Sequence, residues 1–320
     1  MRLLKLILLA LAMLVFLAAC GGESQSTLEA VPVQTQPETP DQPETLDQPE
    51  TPDQPETPVQ DDSLSEEIEA IHEPVLEVSI PESVLFDSDG IRISARDLSD
   101  SWQGVELNVL IENDSNVPIT VQVRDVVVNG MMFKQTSMSA SVTPGNRAND
   151  SITFMSSGFE RYGIETMGVI EFAFRIINDD DWDESFTTDS IVIETSAAGQ
   201  FEQPLPDTVE TIFEQDGIYI AHMGFEENWM GKSAVFFIVN DTDEAITLQA
   251  RDEVVNGFMI SGTKSTEVLP GKVAIDDLSF GDWQLEENGI ESIEFLEFRL
   301  RIILEDWDAS FETDLIRLTL

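Results

Sequence analysis

Residues 83–320 are predicted to form two tandem all-β domains, each an antiparallel β-sandwich of immunoglobulin-like type. Three observations carry this. The first is an internal duplication: residues 84–132 match residues 211–259 without a gap, and Arg124-Asp125-x-Val127-Val128-Asn129-Gly130 stands against Arg251-Asp252-x-Val254-Val255-Asn256-Gly257. The second is period-two alternation in Ile91–Ser94, Val105–Val109 and Ile119–Val123, which places one set of side chains on one face of a strand. The third is the Asn-Gly dipeptide at 129–130 and 256–257, flanked by Val on one side and Met or Phe on the other; it favours a type I′ hairpin turn. About seven strands per copy and no long helix are expected, the spacing of a sandwich.

The match continues after one deletion at Pro144-Gly145 against Pro270-Gly271 and Gly163-Ile164-Glu165 against Gly289-Ile290-Glu291. Further on, Trp182-Asp183 stands against Trp307-Asp308. Each copy has a long strand, at Val169–Ile177 and Ile293–Leu304. An acidic loop follows it, then a last strand at Ile191–Ile193 or Leu315–Leu320. Repeat 1 is placed at 83–195 and repeat 2 at 209–320, joined by a linker over 196–208 that contains Ala197-Ala198-Gly199 and Pro204-x-Pro206.

The first 82 residues differ from the rest. Arg2 and Lys5 precede an apolar run from Leu6 to Phe16, and Leu17-Ala18-Ala19 stands before the chain's one cysteine, Cys20. This is the layout of a secretory signal peptide over 1–19. An apolar run of about 15 residues is short for a membrane span of roughly 20. From Pro37 to Gln60 run four hexads, PETPDQ, PETLDQ, PETPDQ and PETPVQ, and no Lys or Arg occurs between Lys5 and Arg92. Proline removes backbone donors and the acids repel, so 20–82 is expected to be a disordered, extended spacer. In polyproline II geometry the hexads would reach about 75 Å. Ser63-Leu64-Ser65-Glu66 carries capping-box spacing, and a short helix is expected over 64–72.

Leu-Ala-Ala-Cys-Gly-Gly at 17–22 resembles the lipobox of bacterial lipoproteins, which implies diacylation of Cys20 and removal of the residues before it. Lipobox, acidic spacer and small all-β domains without cysteine pairs together resemble secreted lipoproteins of Gram-positive bacteria with immunoglobulin-like modules. That resemblance implies a palmitate-type anchor on the outer face of the cell membrane and an extracytoplasmic chain. It transfers no catalytic residue.

Without residues 1–19 the chain has 14 Lys+Arg against 62 Asp+Glu, a net charge of −48. Affinity for nucleic acid and anionic headgroups comes largely from Lys and Arg, so nucleic-acid binding is excluded and the membrane is met only through the lipid. Two histidines, His72 and His222, cannot furnish a triad in both copies, and Ala95 occupies the place of His222 in repeat 1. No enzyme, zinc site or phosphate loop is expected. The acidic loops offer calcium candidates, Asp179, Asp180 and Asp183 in repeat 1 and Asp306 and Asp308 in repeat 2. The plainer expectation is a solvated turn with its Trp folded over the end of the sandwich.

Trp102 and Trp229, each two residues before a glycine, are expected to plug the core, with exposed recognition as the alternative. Arg124-Asp125 and Arg251-Asp252 read as ion pairs beside the hairpin or as ligand contacts. Asn113-Asp-Ser and Asn240-Asp-Thr match the glycosylation sequon but read as turns. The four lysines after the signal peptide, Lys134, Lys232, Lys264 and Lys272, have no equivalents between copies, which argues against a shared isopeptide crosslink. The expected function is non-enzymatic binding or adhesion at the cell surface, to a protein or glycan. The alternative is an envelope assembly component whose spacer sets its distance from the membrane.

Overall fold

The computed structural model describes residues 78–208, 210–228, 231–304 and 309–320. The signal peptide, Cys20 and the expected helix at 64–72 lie outside the described residues, as do Trp229, Asp306, Trp307 and Asp308.

Repeat 1 contains β1 (Ser83–Ser88), β2 (Ile91–Ser101), β3 (Gly104–Asn113), β4 (Ile119–Val128), β5 (Met131–Met132), β6 (Thr136–Ser137), β7 (Ser139–Val142) and β8 (Asn146–Met155). Helix α1 (Ser156–Tyr162) follows, then β9 (Val169–Asn178), a 3₁₀ turn (Trp182–Glu184), β10 (Phe186–Thr187) and β11 (Ile191–Glu194). Repeat 2 contains β12 (Glu210–Gln215), β13 (Ile218–Asn228), β14 (Gly231–Asn240), β15 (Ile246–Val255), β16 (Phe258–Met259), β17 (Ser265–Val268) and β18 (Lys272–Gly281). Helix α2 (Asp282–Glu287), β19 (Phe295–Leu304), β20 (Ser310–Glu312) and β21 (Ile316–Thr319) complete it. The strands exceed the expected seven per copy because the chain breaks into short segments on either side of turns. Two short helices that the strand pattern did not announce seal the sandwich ends.

In repeat 1 the sheet β1-β2-β3-β8-β6 packs against β10-β9-β4-β5, with β11 and β7 pairing β9 and β4. Alternation buries Leu107, Val109 and Ile111 of β3 against Val121, Phe172 and Phe174 of the opposing sheet. In repeat 2, β18-β14-β13-β12 and β16-β15-β19-β20 do the same around Phe236, Leu248 and Phe298. The fold is all-β and antiparallel within each repeat, as expected.

The duplicated motifs are turn and bulge devices. Asn129 and Asn256 take left-handed φ of 52° and 48°, followed by Gly130 and Gly257 at 83° and 89°, the geometry of a type I′ turn. Each Asn then reaches across the sandwich end: Asn129 Oδ1 accepts from the amides of Gly168 and Val169, and Asn256 Oδ1 from those of Glu294 and Phe295. The register slips between Arg124 and Val127 and between Arg251 and Val254, where Asp125 and Asp252 sit at φ 55° in β-bulges. Asn113 and Asn240 are fully buried; each Nδ2 donates to two carbonyls and each Oδ1 accepts from a turn amide and hydroxyl. Their side chains are consumed as turn staples, leaving nothing for a glycan.

The two repeats are not beads on a linker. Gly130 O accepts from Val273 N at 3.0 Å, and Met131 of β5 pairs in parallel with Val273 of β18. One ten-stranded sheet therefore runs through both repeats. Val127 and Met132 of repeat 1 pack in the core of repeat 2, while Val235, Phe237 and Ile275 of repeat 2 join the core of repeat 1. Strand β14 is consequently buried on both faces, whereas β3, its counterpart, is buried on one. The segment expected as a plain linker is also held down. Ser196 exchanges hydrogen bonds with Ser79, and Gln203 Nε2 donates to the carbonyl of Gly163 at 3.0 Å.

Charge completes the junction. Asp276 lies between Lys134 of repeat 1 at 2.9 Å and the fully buried Lys264 at 3.2 Å. Arg161 pairs with Asp277 and with Glu226, and Lys272 pairs with Glu171. This explains why Lys134 and Lys272 have no equivalents: they serve a contact that occurs once, while Lys264 backs it from within repeat 2 through Asp276. Burial pulls the Lys264 ammonium below its usual pKa, opposed by Asp276. Burial would raise Asp276, but Lys264 and Lys134 hold it below the ordinary carboxylate value. His222 is buried against Phe225 and Phe236 with its Nε2 unpartnered among the described residues, and desolvation lowers its pKa.

Candidate functional site

One candidate face lies on the outer side of the sheet β4-β9-β10 in repeat 1. Alternation turns Val121 and Val123 inward and Gln122 and Arg124 outward. Cross-strand register sets Gln122 beside Arg175, and Arg175 beside Thr187. The bulge at Asp125 keeps both Arg124 and Asp125 exposed. Beyond β9 the chain turns back through Trp182–Glu184, and Trp182 comes to line one hollow with Gln122, Arg124, Asp125, Arg175, Ile177 and Thr187. The hollow measures about 550 Å³, and Trp182 is 70% exposed. A second hollow of about 740 Å³ lies across the Arg124–Asp125 ridge, bordered by Lys134, Ser137, Ser139, Asp150 and Ser151.

The acids of the turn build it instead of gathering around a cation. Asn178 Oδ1 accepts from the amides of Asp180 and Asp181, Asp181 accepts from the amide of Asp183, and Asp179 accepts from Thr120 Oγ1 at 3.1 Å. Among the described residues no three carboxylates or imidazoles converge as a metal site needs. The calcium expectation at Asp179, Asp180 and Asp183 therefore finds no supporting geometry; Asp306 and Asp308 are not among the described residues.

Two further expectations are corrected. Arg124 does not pair with Asp125: its Nη2 donates to Gln122 Oε1 at 2.8 Å. Arg251 likewise turns to Gln249, and Asp252 meets Arg299 at 3.8 Å. The bulge points neighbouring side chains apart, so sequence adjacency does not make an ion pair. Trp102 does not plug the core. It stands 91% exposed at the tip of the β2–β3 hairpin, where Ser101 pairs with Gly104 and the side chain projects past the end of the sheet.

Among the described residues neither Arg124 nor Arg175 is in an ion pair, although the chain carries 62 acids. Repeat 2 keeps Gln249, Arg251 and Arg301 at the same places, but Arg301 pairs in register with Glu312 where Arg175 meets Thr187. Among the described residues Arg251 and Arg301 are in no ion pair either, Arg301 turning to Ser310 Oγ, so guanidinium groups free of carboxylates occur on this face of both repeats. Sequence reading reached Arg124 and Trp182 but missed Gln122 and Arg175. The signal was available in Gln-x-Arg-Asp, repeated at 122–125 and 249–252.

No family model and no curated protein matches the chain. Solved structures similar to it include a conserved domain protein from Bacillus anthracis, at 13% identity over 78% of this chain and 94% of that one, with a TM-score of 0.25. The YadV chaperone matches at 13% identity over 67% and 92%, with a TM-score of 0.22. A Salmonella enterica SafA pilin in complex with the SafB chaperone matches at 12% over 67% and 89%, with a TM-score of 0.18. At these TM-scores the fold assignment rests on the sheets and registers of the chain itself, and it is that of an all-β protein with two duplicated antiparallel sandwiches.

Proposed function

We propose that this chain is a non-enzymatic surface protein that binds an uncharged glycan on the Arg124–Arg175–Trp182 face of repeat 1. Cys20 is its lipid anchor, and the acidic spacer carries the sandwiches away from the outer face of the membrane. The observation that supports the reading is two guanidinium groups without ion-pair partners among the described residues, beside an exposed indole, in one shallow hollow. Guanidinium and amide groups offer planar forks of N–H donors to hydroxyls, and an indole supplies broad apolar contact with few torsions to freeze. The net charge of −46 disfavours an acidic polymer, which the whole chain would repel.

Binding is tested with neutral hexasaccharides of glucose and of N-acetylglucosamine, titrated against the chain with tryptophan fluorescence as the readout. Trp182→Ala and Arg175→Ala should each weaken binding by about tenfold or more, the loss of one to two hydrogen bonds or of one aromatic platform. Both side chains sit on the outer face, so the unfolding midpoint should stay unchanged. Absence of binding by either sugar, or binding indifferent to both substitutions, counts against the face and leaves a protein partner as the reading to pursue.

A further inference from the structure

The junction between the repeats is heterologous: the turn end of one copy sits on the sheet edge of the other. The docking end of repeat 1 consists of Gly130, Met131, Met132, Lys134, Arg161 and Glu171, and Met131 and Met132 are only 2% and 9% exposed there. The duplication puts Gly257, Phe258, Met259, Ser261, Glu287 and Glu297 at the same places in repeat 2. That end is uncovered: Phe258 is 46% and Met259 79% exposed.

The receiving edge also has a free counterpart. In repeat 2 it is the start of β18, at Val273. In repeat 1 it is the start of β8, where Arg147 holds the place of Val273. Strand β8 pairs with β3 along its length but with β6 only at Thr153 and Phe154, so the stretch from Asn146 to Asp150 presents an open backbone edge. Unpaired edges accept further strands.

Charge has changed on both sides of the contact, where Lys272 on Glu171 gives way to Asn146 and Glu297. Inside the chain a base docks on acids, Arg161 on Asp277 and Glu226. At the free sites Glu287 replaces Arg161, and Ser151 and Ser99 replace Asp277 and Glu226. On the receiving face Arg92, Arg96 and Arg147 replace the apolar Tyr219, Met223 and Val273. An acidic docking end thus meets a face that has gained three bases, each of which would exchange a present partner for it: Arg92 now pairs with Asp87, Arg96 with Glu82 and Arg147 with Glu112, and Glu297 of the docking end pairs with Arg317. The same face is less apolar than its counterpart, with Asn108 for Val235 and Asn149 for Ile275, so the contact is weaker than the one within the chain.

We propose that the Phe258–Met259 hairpin of one molecule docks on the β8 edge at Arg147 of a second copy, repeating the internal junction head to tail. A heterologous contact of this kind need not close, so it extends into open arrays. The inference is independent of the sugar-binding reading, because neither the hairpin nor Arg147 lines the Trp182 hollow.

Sedimentation velocity of the full mature chain, carrying Cys20→Ser so that no lipid is attached, tests it. Between about 10 µM and about 1 mM, where small polar contacts associate, the weight-average sedimentation coefficient should rise with concentration. Met259→Asp in one sample and Arg147→Glu in another should each return the chain to a monomer; both residues are exposed, so the fold is kept. A monomer throughout the range, or association that survives either single substitution, overturns the proposal.

Discussion

Asp276→Ala should destabilise the chain by about 3–5 kcal/mol, the cost of leaving a buried charge without its partner. Lys264 has a side chain wholly removed from solvent and lies over the Phe236 ring at 5.3 Å; apart from Asp276 its only polar contact among the described residues is Thr266 Oγ1 at 3.4 Å. Lys134 loses its carboxylate in the same step, so the tie between repeats is cut as the core is strained. Acid should act in the same direction. Asp276 titrates lower in the folded chain than its ordinary 3.8, so its contribution is complete above that pH and is lost as pH falls through the depressed folded value. Urea unfolding at neutral pH measures the effect. A change under about 1 kcal/mol would show that Lys264 is not held as a buried cation.

Gly104→Ala should cost about 3 kcal/mol or more, through backbone strain and overpacking together. Gly104 sits at φ 143°, and a Cβ there would collide with the carbonyl oxygen of Phe154, a backbone atom with no room to move. Gly231 has the same geometry against Phe280, which is why Trp-x-Gly recurs in both copies. Gly145→Ala is the control: its φ is also positive but nothing stands within 4 Å of the added carbon, so it should cost about 1 kcal/mol. The same urea experiment separates them, and equal losses for the two alanines would remove the steric account.

Much of the sandwich was legible because strands have a period of two and the turns use Asn-Gly. The alternation in β2, β3 and β4 and the long strands β9 and β19 follow from residues whose burial is decided locally. The bulges were not legible, since an Asp in the left-handed region leaves no mark in a hydrophobic pattern. Short α1 escaped for a related reason: Ser156–Tyr162 has no side-chain cap and is held by the contacts of Phe159 and Tyr162 with Phe133. The junction did leave a trace. Ala234-Val-Phe-Phe-Ile238 is an unbroken apolar run where Asn108 interrupts its counterpart, Leu107–Ile111, the signature of a strand covered on both faces. Exposure of Trp102 could not be read, because a hairpin tip and a core plug look alike in sequence.

The two repeats also set where function can lie. Because β5 and β18 join one sheet, the Trp182 face and the open end at Met259 are carried by one body. That body is the central claim. Differential scanning calorimetry of the mature chain at neutral pH tests it most directly. One cooperative transition, with calorimetric and van't Hoff enthalpies equal for both repeats together, is the predicted result. Two resolved transitions, one for each sandwich, would contradict it and return the chain to independent domains on a linker.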